Sequence, residues 1–170
     1  MDINTLLNKA SKTLYNSSII TAKLDTEILL SKVIKKNREY LILNNNKKLT
    51  KENLKLFKSL VERRKKGEPI AYILKKKEFW KKEFYIDQNV LIPRPETELL
   101  VEETLKLFNK DLKINVLDIG TGSGCILLSI LQERKLFSGL GIDISKKAIN
   151  VARFNAKSAS IKQQSKILSS

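Results

Sequence analysis

The sequence predicts an α/β protein: a small helical N-terminal domain followed by the first part of a parallel-sheet domain. Three observations predict it. Apolar residues recur at helical spacing up to about Gly67. From Ile114 onward, short apolar runs alternate with helical segments, the pattern of parallel strands joined by right-handed crossovers. Between these halves lies an aromatic-rich, extended stretch. The expected organisation is therefore a helical domain at 1–67, a hairpin or linker at 68–94 and a partial sheet domain at 95–170.

Within the helical part, Asp25 to Lys36 places Ile28, Leu29 and Val33 on one face, with Asp25 as the expected cap. Asn44 to Lys48 is a polar turn. Thr50 then caps an amphipathic helix carrying Leu54, Phe57, Leu60 and Val61. Arg63 to Lys66 suit its negative C-terminal end, and Gly67 stops it. Further on, Glu78-Phe79-Trp80 and Phe84-Tyr85-Ile86 flank Lys81 to Glu83 and read as a hairpin or extended linker. In Ile92-Pro93-Arg94-Pro95-Glu96-Thr97-Glu98, each proline forces the preceding residue out of the helical region. Pro95 suits the first helical position, where no N–H is needed. Glu96 and Glu98 suit the positive end of a helix running to about Phe108. Arg94, a rare arginine fixed between two prolines, is a site-adjacent candidate together with Pro95.

The sheet half reads as a strand at Ile114 to Asp118, a tight loop at Gly120 to Gly124 and an apolar helix at Cys125 to Gln132. A second strand follows at Leu140 to Asp143, then a helix at Ser145 to Ala156 capped by Ser145. Ile167-Leu168 could begin a third strand in the polar tail, Ser158 to Ser170. Two or three strands leave a parallel sheet poorly covered, so the sheet is expected to be incomplete.

Composition narrows the chemistry. The absence of histidine excludes His-based acid–base catalysis and the common His-containing zinc sites. With one cysteine, Cys125, no internal disulfide is possible and no metal site is expected. No apolar run is long enough to span a membrane and no signal peptide is visible, so a cytoplasmic protein is expected. The net charge of +15 favours nucleic acid on electrostatic grounds. Only six of the 33 basic residues are arginine, however, and the abundance of Lys, Asn and Ile also fits an AT-rich genome. Nothing beyond weak, nonspecific RNA binding is expected from the charge.

The clearest signal is Asp118-Ile119-Gly120-Thr121-Gly122-Ser123-Gly124, which follows a strand and opens a helix. Glycines there allow positive φ and let a ligand lie against bare backbone. Asp143, 19 residues beyond Gly124 at the end of the next strand, can accept hydrogen bonds from both hydroxyls of a ribose. No Gly-Lys-Ser/Thr closes the glycine run, which excludes a P-loop. A dinucleotide loop needs G-x-G-x-x-G or a final Ala, and Cys125, after Gly120-x-Gly122-Ser123-Gly124, fits that last position badly. The observed G-x-G-x-G, led by Asp118, suits a methyltransferase whose cofactor carries adenosine and methionine and no pyrophosphate.

In these residues and in two further stretches the chain resembles the PrmC (HemK) family. That family methylates the side-chain amide of the glutamine in the Gly-Gly-Gln motif of peptide chain release factors. Gly67 to Tyr72 with Glu78-Phe79-Trp80 is similar to the family's linker, and Val90 to Glu98 to its most distinctive motif. Val116 to Gly124 is similar to its cofactor loop. The resemblance implies a Rossmann-like class I methyltransferase domain behind a helical domain that helps dock the release factor. It implies S-adenosyl-L-methionine as cofactor. Gly120, Thr121, Gly122, Ser123 and Gly124 would wrap its methionine end, and Asp143 would hold the ribose. Ile144 is the candidate wall for adenine, and Asp118 would orient the loop. The family's Asn-Pro-Pro-Tyr motif, which holds the substrate amide, does not occur, since prolines stand only at 69, 93 and 95. No catalytic residue is therefore expected within the chain, which reads as C-terminally truncated. The alternatives are a non-catalytic fragment that binds release factor or RNA, and a nicotinamide-dependent enzyme.

Overall fold

The computed structural model describes residues 1–161 and 164–169. The chain divides into two units, Met1–Leu74 and Lys75–Ser170. The predicted mixed α/β class is what the structure shows: helices alone in the first unit, and a three-stranded parallel sheet in the second.

The first unit consists of α1 (Ile3–Tyr15), α2 (Ala22–Ile34), α3 (Arg38–Leu43), α4 (Lys51–Lys65) and α5 (Ile70–Leu74). Asp2 caps α1 by accepting the Thr5 amide at 2.8 Å. Two further amides at the start of α1, those of Ile3 and Asn4, donate to Lys47 and Asn45 in the polar turn, so the helix start is satisfied. Thr50 caps α4 as expected, accepting the Asn53 amide at 3.2 Å. Phe57, Leu60 and Val61 of α4 are buried with Leu29, Leu30 and Val33 of α2 and with Leu6 and Leu14 of α1.

Asp25 is the exception to the expected pattern. It is not the cap of α2; Thr21 holds that position. Asp25 lies inside the helix and is buried, where it accepts from Arg64 Nε at 2.7 Å and from Thr21 Oγ1 at 3.0 Å. A buried carboxylate needs a paired charge, and Arg64, 39 residues away in sequence, provides it.

The second unit begins with a hairpin, β1 (Lys76–Phe79) and β2 (Lys82–Tyr85). Its turn is Trp80–Lys81, one residue earlier than the Lys81 to Glu83 stretch singled out in the sequence. Both turn residues have positive φ, 44° and 61°. Asn-Gly pairs normally fill such turns, and their absence hid the position. Acceptors distant in sequence hold it instead. Glu98 accepts the Trp80 amide at 3.1 Å, and Glu133 accepts Trp80 Nε1 at 3.0 Å and Lys81 Nζ at 3.2 Å. Phe79 and Phe84 pack edge to face beneath the hairpin.

A 3-10 turn, Pro95–Thr97, leads into α6 (Glu98–Leu107), with Pro95 at its first position as predicted. Then follow β3 (Asn115–Ile119), α7 (Cys125–Glu133), β4 (Ser138–Asp143), α8 (Lys146–Ser158) and β5 (Ser165–Ser169). The sheet order is β3-β4-β5, all parallel. Strand β5 starts two residues before Ile167. Buried Leu127, Leu128 and Leu131 of α7 and Ile149 and Ala152 of α8 form the core on one side. Leu117, Ile119 and Leu168 share the opposite face and are exposed. No helix among the described residues is long and apolar enough to cross a membrane.

Candidate functional site

The loop between β3 and α7 is built by its glycines. Gly120, Gly122 and Gly124 have φ of +79°, +54° and +79°, values at which a side chain is strained. Two amides, those of Gly120 and Thr121, donate to the Ile142 carbonyl of β4 at 2.8 and 3.0 Å. The Gly124 amide turns back to the Thr121 carbonyl at 2.7 Å. Residues 121–124 therefore form a tight turn hung from the end of β4. Gly141 makes room for it, because a Cβ there would lie 3.0 Å from Thr121 Oγ1.

The two acidic residues flank the turn. Asp143 faces the loop: its Oδ2 accepts the Gly122 amide at 3.0 Å and its Oδ1 accepts the Ser145 amide at 2.9 Å. Each carboxylate oxygen retains acceptor capacity beyond these bonds. Asp118 accepts the Thr121 hydroxyl at 2.7 Å. Burial pushes the Asp118 carboxyl above the usual range; the Thr121 hydroxyl and the Leu127 amide pull it back in part, and the nearby charge of Asp143 adds to the rise. Cys125 opens α7 as a buried thiol, raised mainly by that burial.

The structure brings Gly120, Gly122, Gly124, Asp118 and Asp143 together at the C-terminal ends of β3 and β4, the edge at which open α/β sheets bind ligands. Thr121 and Ser123 are both buried, and Thr121 is turned to Asp118, so the backbone is what these two offer a ligand. Ile144 is 90% exposed beside Asp143, free to form a wall. Arg94 is exposed and caps the 3-10 turn through its carbonyl, which accepts the Thr97 amide at 3.0 Å. Among the described residues no hydrogen bond joins Arg94 or Pro95 to the loop.

One site residue escaped the sequence reading. Asn155 of α8 is buried, and its Nδ2 donates to the Ser123 carbonyl at 2.9 Å. The available signal was a polar residue on the apolar stripe formed by Ala148, Ile149, Ala152 and Ala156.

The loop fits an adenosyl ligand on three counts. A Cβ built on Gly120 meets no protein atom within 4 Å, so that backbone face is open. The turn sits at the positive N-terminal end of α7, which favours a carboxylate. Asp143 supplies acceptors for hydroxyls. No cluster of three or more His, Cys, Asp or Glu suited to a metal ion occurs among the described residues.

Comparison with known proteins gives matches to both units. Residues 5–74 match the PrmC N-terminal domain, and residues 110–168 match a methyltransferase domain. A release factor glutamine methyltransferase of Coxiella burnetii is 46% identical over 84% of this chain and 51% of its own length. That of Buchnera aphidicola subsp. Baizongia pistaciae is 42% identical over 97% of this chain and 59% of its own. That of Caulobacter vibrioides is 36% identical over 94% and 55%. The chain thus spans somewhat over half the length of these curated relatives.

Proposed function

The chain belongs to the PrmC family, and from that premise we propose that it binds S-adenosyl-L-methionine in the β3–α7 loop as part of a release factor glutamine methyltransferase. The observation that carries this is the convergence of an open, positive-φ glycine turn and the Asp143 carboxylate at the ends of adjacent strands. When bound, the cofactor supplies an electrophilic methyl group on a sulfonium.

The chain's own residues bind and orient. Gly120 and Gly122 present bare backbone to the methionine end, with the start of α7 complementing its carboxylate. Asp143 accepts the ribose hydroxyls, and Ile144 covers one face of adenine. Asp118 holds Thr121 and thereby the shape of the turn. The substrate is the glutamine amide of the Gly-Gly-Gln motif of peptide chain release factors, with the helical unit taking part in docking. Attraction to RNA is weak, nonspecific and salt-sensitive. No Asn-Pro-Pro-Tyr run occurs in these 170 residues. The contribution assigned to these residues is cofactor binding.

Calorimetry tests the assignment. S-Adenosylhomocysteine should bind with one site per chain and NAD should give no heat. Equal binding of NAD, or no binding of the sulfur ligand, overturns it. With labelled cofactor and release factor, the 170-residue chain should show no methyl transfer above background.

A further inference from the structure

Asn155 does more than fill α8. Its neighbours on the buried stripe, Ala148, Ile149, Ala152 and Ala156, are apolar, and an aliphatic side chain would satisfy such a position. An amide placed there must find partners for its donors and acceptor or destabilise the core. It finds them on two separate segments. Nδ2 donates to the Ser123 carbonyl at 2.9 Å and to the Tyr85 carbonyl at 3.0 Å, and Oδ1 accepts the Tyr85 amide at 2.8 Å. These partners fix the orientation of the amide, since a flip would set oxygen against two carbonyls.

The bonds to Tyr85 act as a ladder rung. Tyr85 ends β2, and the following amide, Ile86, returns to Lys75 on the β1 side. The Tyr85 N–H and C=O lie on the other edge, and the Asn155 side chain pairs with both as a neighbouring strand would. The Tyr85 ring is also packed on Phe154, with centroids 4.9 Å apart. The bond to Ser123 acts on the glycine turn. In a planar trans peptide the C=O and the following N–H point in opposite directions. Holding the Ser123 carbonyl toward α8 therefore aims the Gly124 amide at the Thr121 carbonyl, where it is found at 2.7 Å.

We infer that Asn155 is a positioning residue that locks the glycine loop to the β1–β2 hairpin, so that the hairpin responds to occupancy of the loop. The inference deepens the cofactor assignment and rests on it for the identity of the ligand. The lock itself is a property of the ligand-free chain. Filling the loop restrains Ser123, which restrains Asn155, which restrains Tyr85.

The test is amide hydrogen exchange on the full chain, with and without S-adenosylhomocysteine, for wild type, Asn155→Ala and Leu131→Ala. Leu131 is buried in α7 and makes no side-chain hydrogen bond, so Leu131→Ala reports a loss of core packing alone, compared at equal distance below each variant's melting temperature. Without ligand, Asn155→Ala should speed exchange at both Tyr85 and Gly124 by about tenfold, the equivalent of one buried hydrogen bond, and Leu131→Ala should not. With ligand, wild type should gain protection at Tyr85, and Asn155→Ala should not while binding about tenfold more weakly. Equal exchange and affinity in the two variants, or no change at Tyr85 when wild type binds, overturns the inference. If wild type fails to bind, the cofactor assignment falls, and the ligand-free exchange still decides whether the lock exists.

Discussion

The Asp143 carboxylate accepts the Gly122 amide at 3.0 Å, joining residues 21 apart in sequence. Its other oxygen takes the Ser145 amide at the start of α8. One side chain thus fixes the loop after β3 and the loop after β4. Asp143→Ala should cost about 1–3 kcal/mol of stability, read by urea unfolding, and should abolish measurable binding of S-adenosylhomocysteine. Retained affinity would show that the carboxylate does not hold the ribose.

Gly120→Ala separates strain from obstruction. At φ +79° an alanine is strained by about 1–2 kcal/mol. The added Cβ meets no protein atom within 4 Å, so it projects into the space assigned to the ligand. The loss of ligand affinity should exceed what the shift in stability explains. If affinity is unchanged in the folded variant, the ligand lies elsewhere.

Asp118 predicts a pH effect. Its folded-state carboxyl is raised above 3.8, mainly by burial. A raised acid stabilises the folded form below the unfolded value, and that contribution is lost as pH climbs through the folded value. Ionised Asp118 therefore opposes folding at neutral pH. Asp2, Glu52, Glu68 and Glu133 are lowered by hydrogen bonds and act in the opposite sense, so the difference between variants is the useful quantity. Asp118→Asn should gain stability relative to wild type as pH rises from about 4 to 7. Urea unfolding across that range checks it, and a constant difference contradicts it.

The hairpin turn offers a direct optical readout, because Trp80 is the single tryptophan. Glu98→Ala removes the acceptor of the Trp80 amide and should cost about 1–3 kcal/mol, since a charged acceptor is lost. Trp80 emission should shift as the turn loosens. Unchanged emission and stability would mean that Glu133 alone suffices.

These cases also show what a sequence makes legible. The glycine turn was readable because positive φ is a local demand that only a few residue types meet, and the place of Asp143 at the end of β4 because strand–loop–helix spacing is local too. Thr50 and Ser145 were readable as caps for the same reason. Asn155 was not, because its partners lie 32 and 70 residues away and periodicity treats asparagine as surface. The sequence left hairpin and extended linker open here, because Glu98 and Glu133 hold the Trp80–Lys81 turn against its own backbone preference. Asp25 was misread because a distant arginine, and not a helix end, decides its environment.

A crystal structure of the chain with S-adenosylhomocysteine decides whether the β3–α7 turn holds the cofactor. The ribose hydroxyls should lie within hydrogen-bond distance of Asp143 and the homocysteine part against Gly120 and Gly122. A ligand bound away from this turn, or a ribose that leaves Asp143 untouched, would contradict that placement.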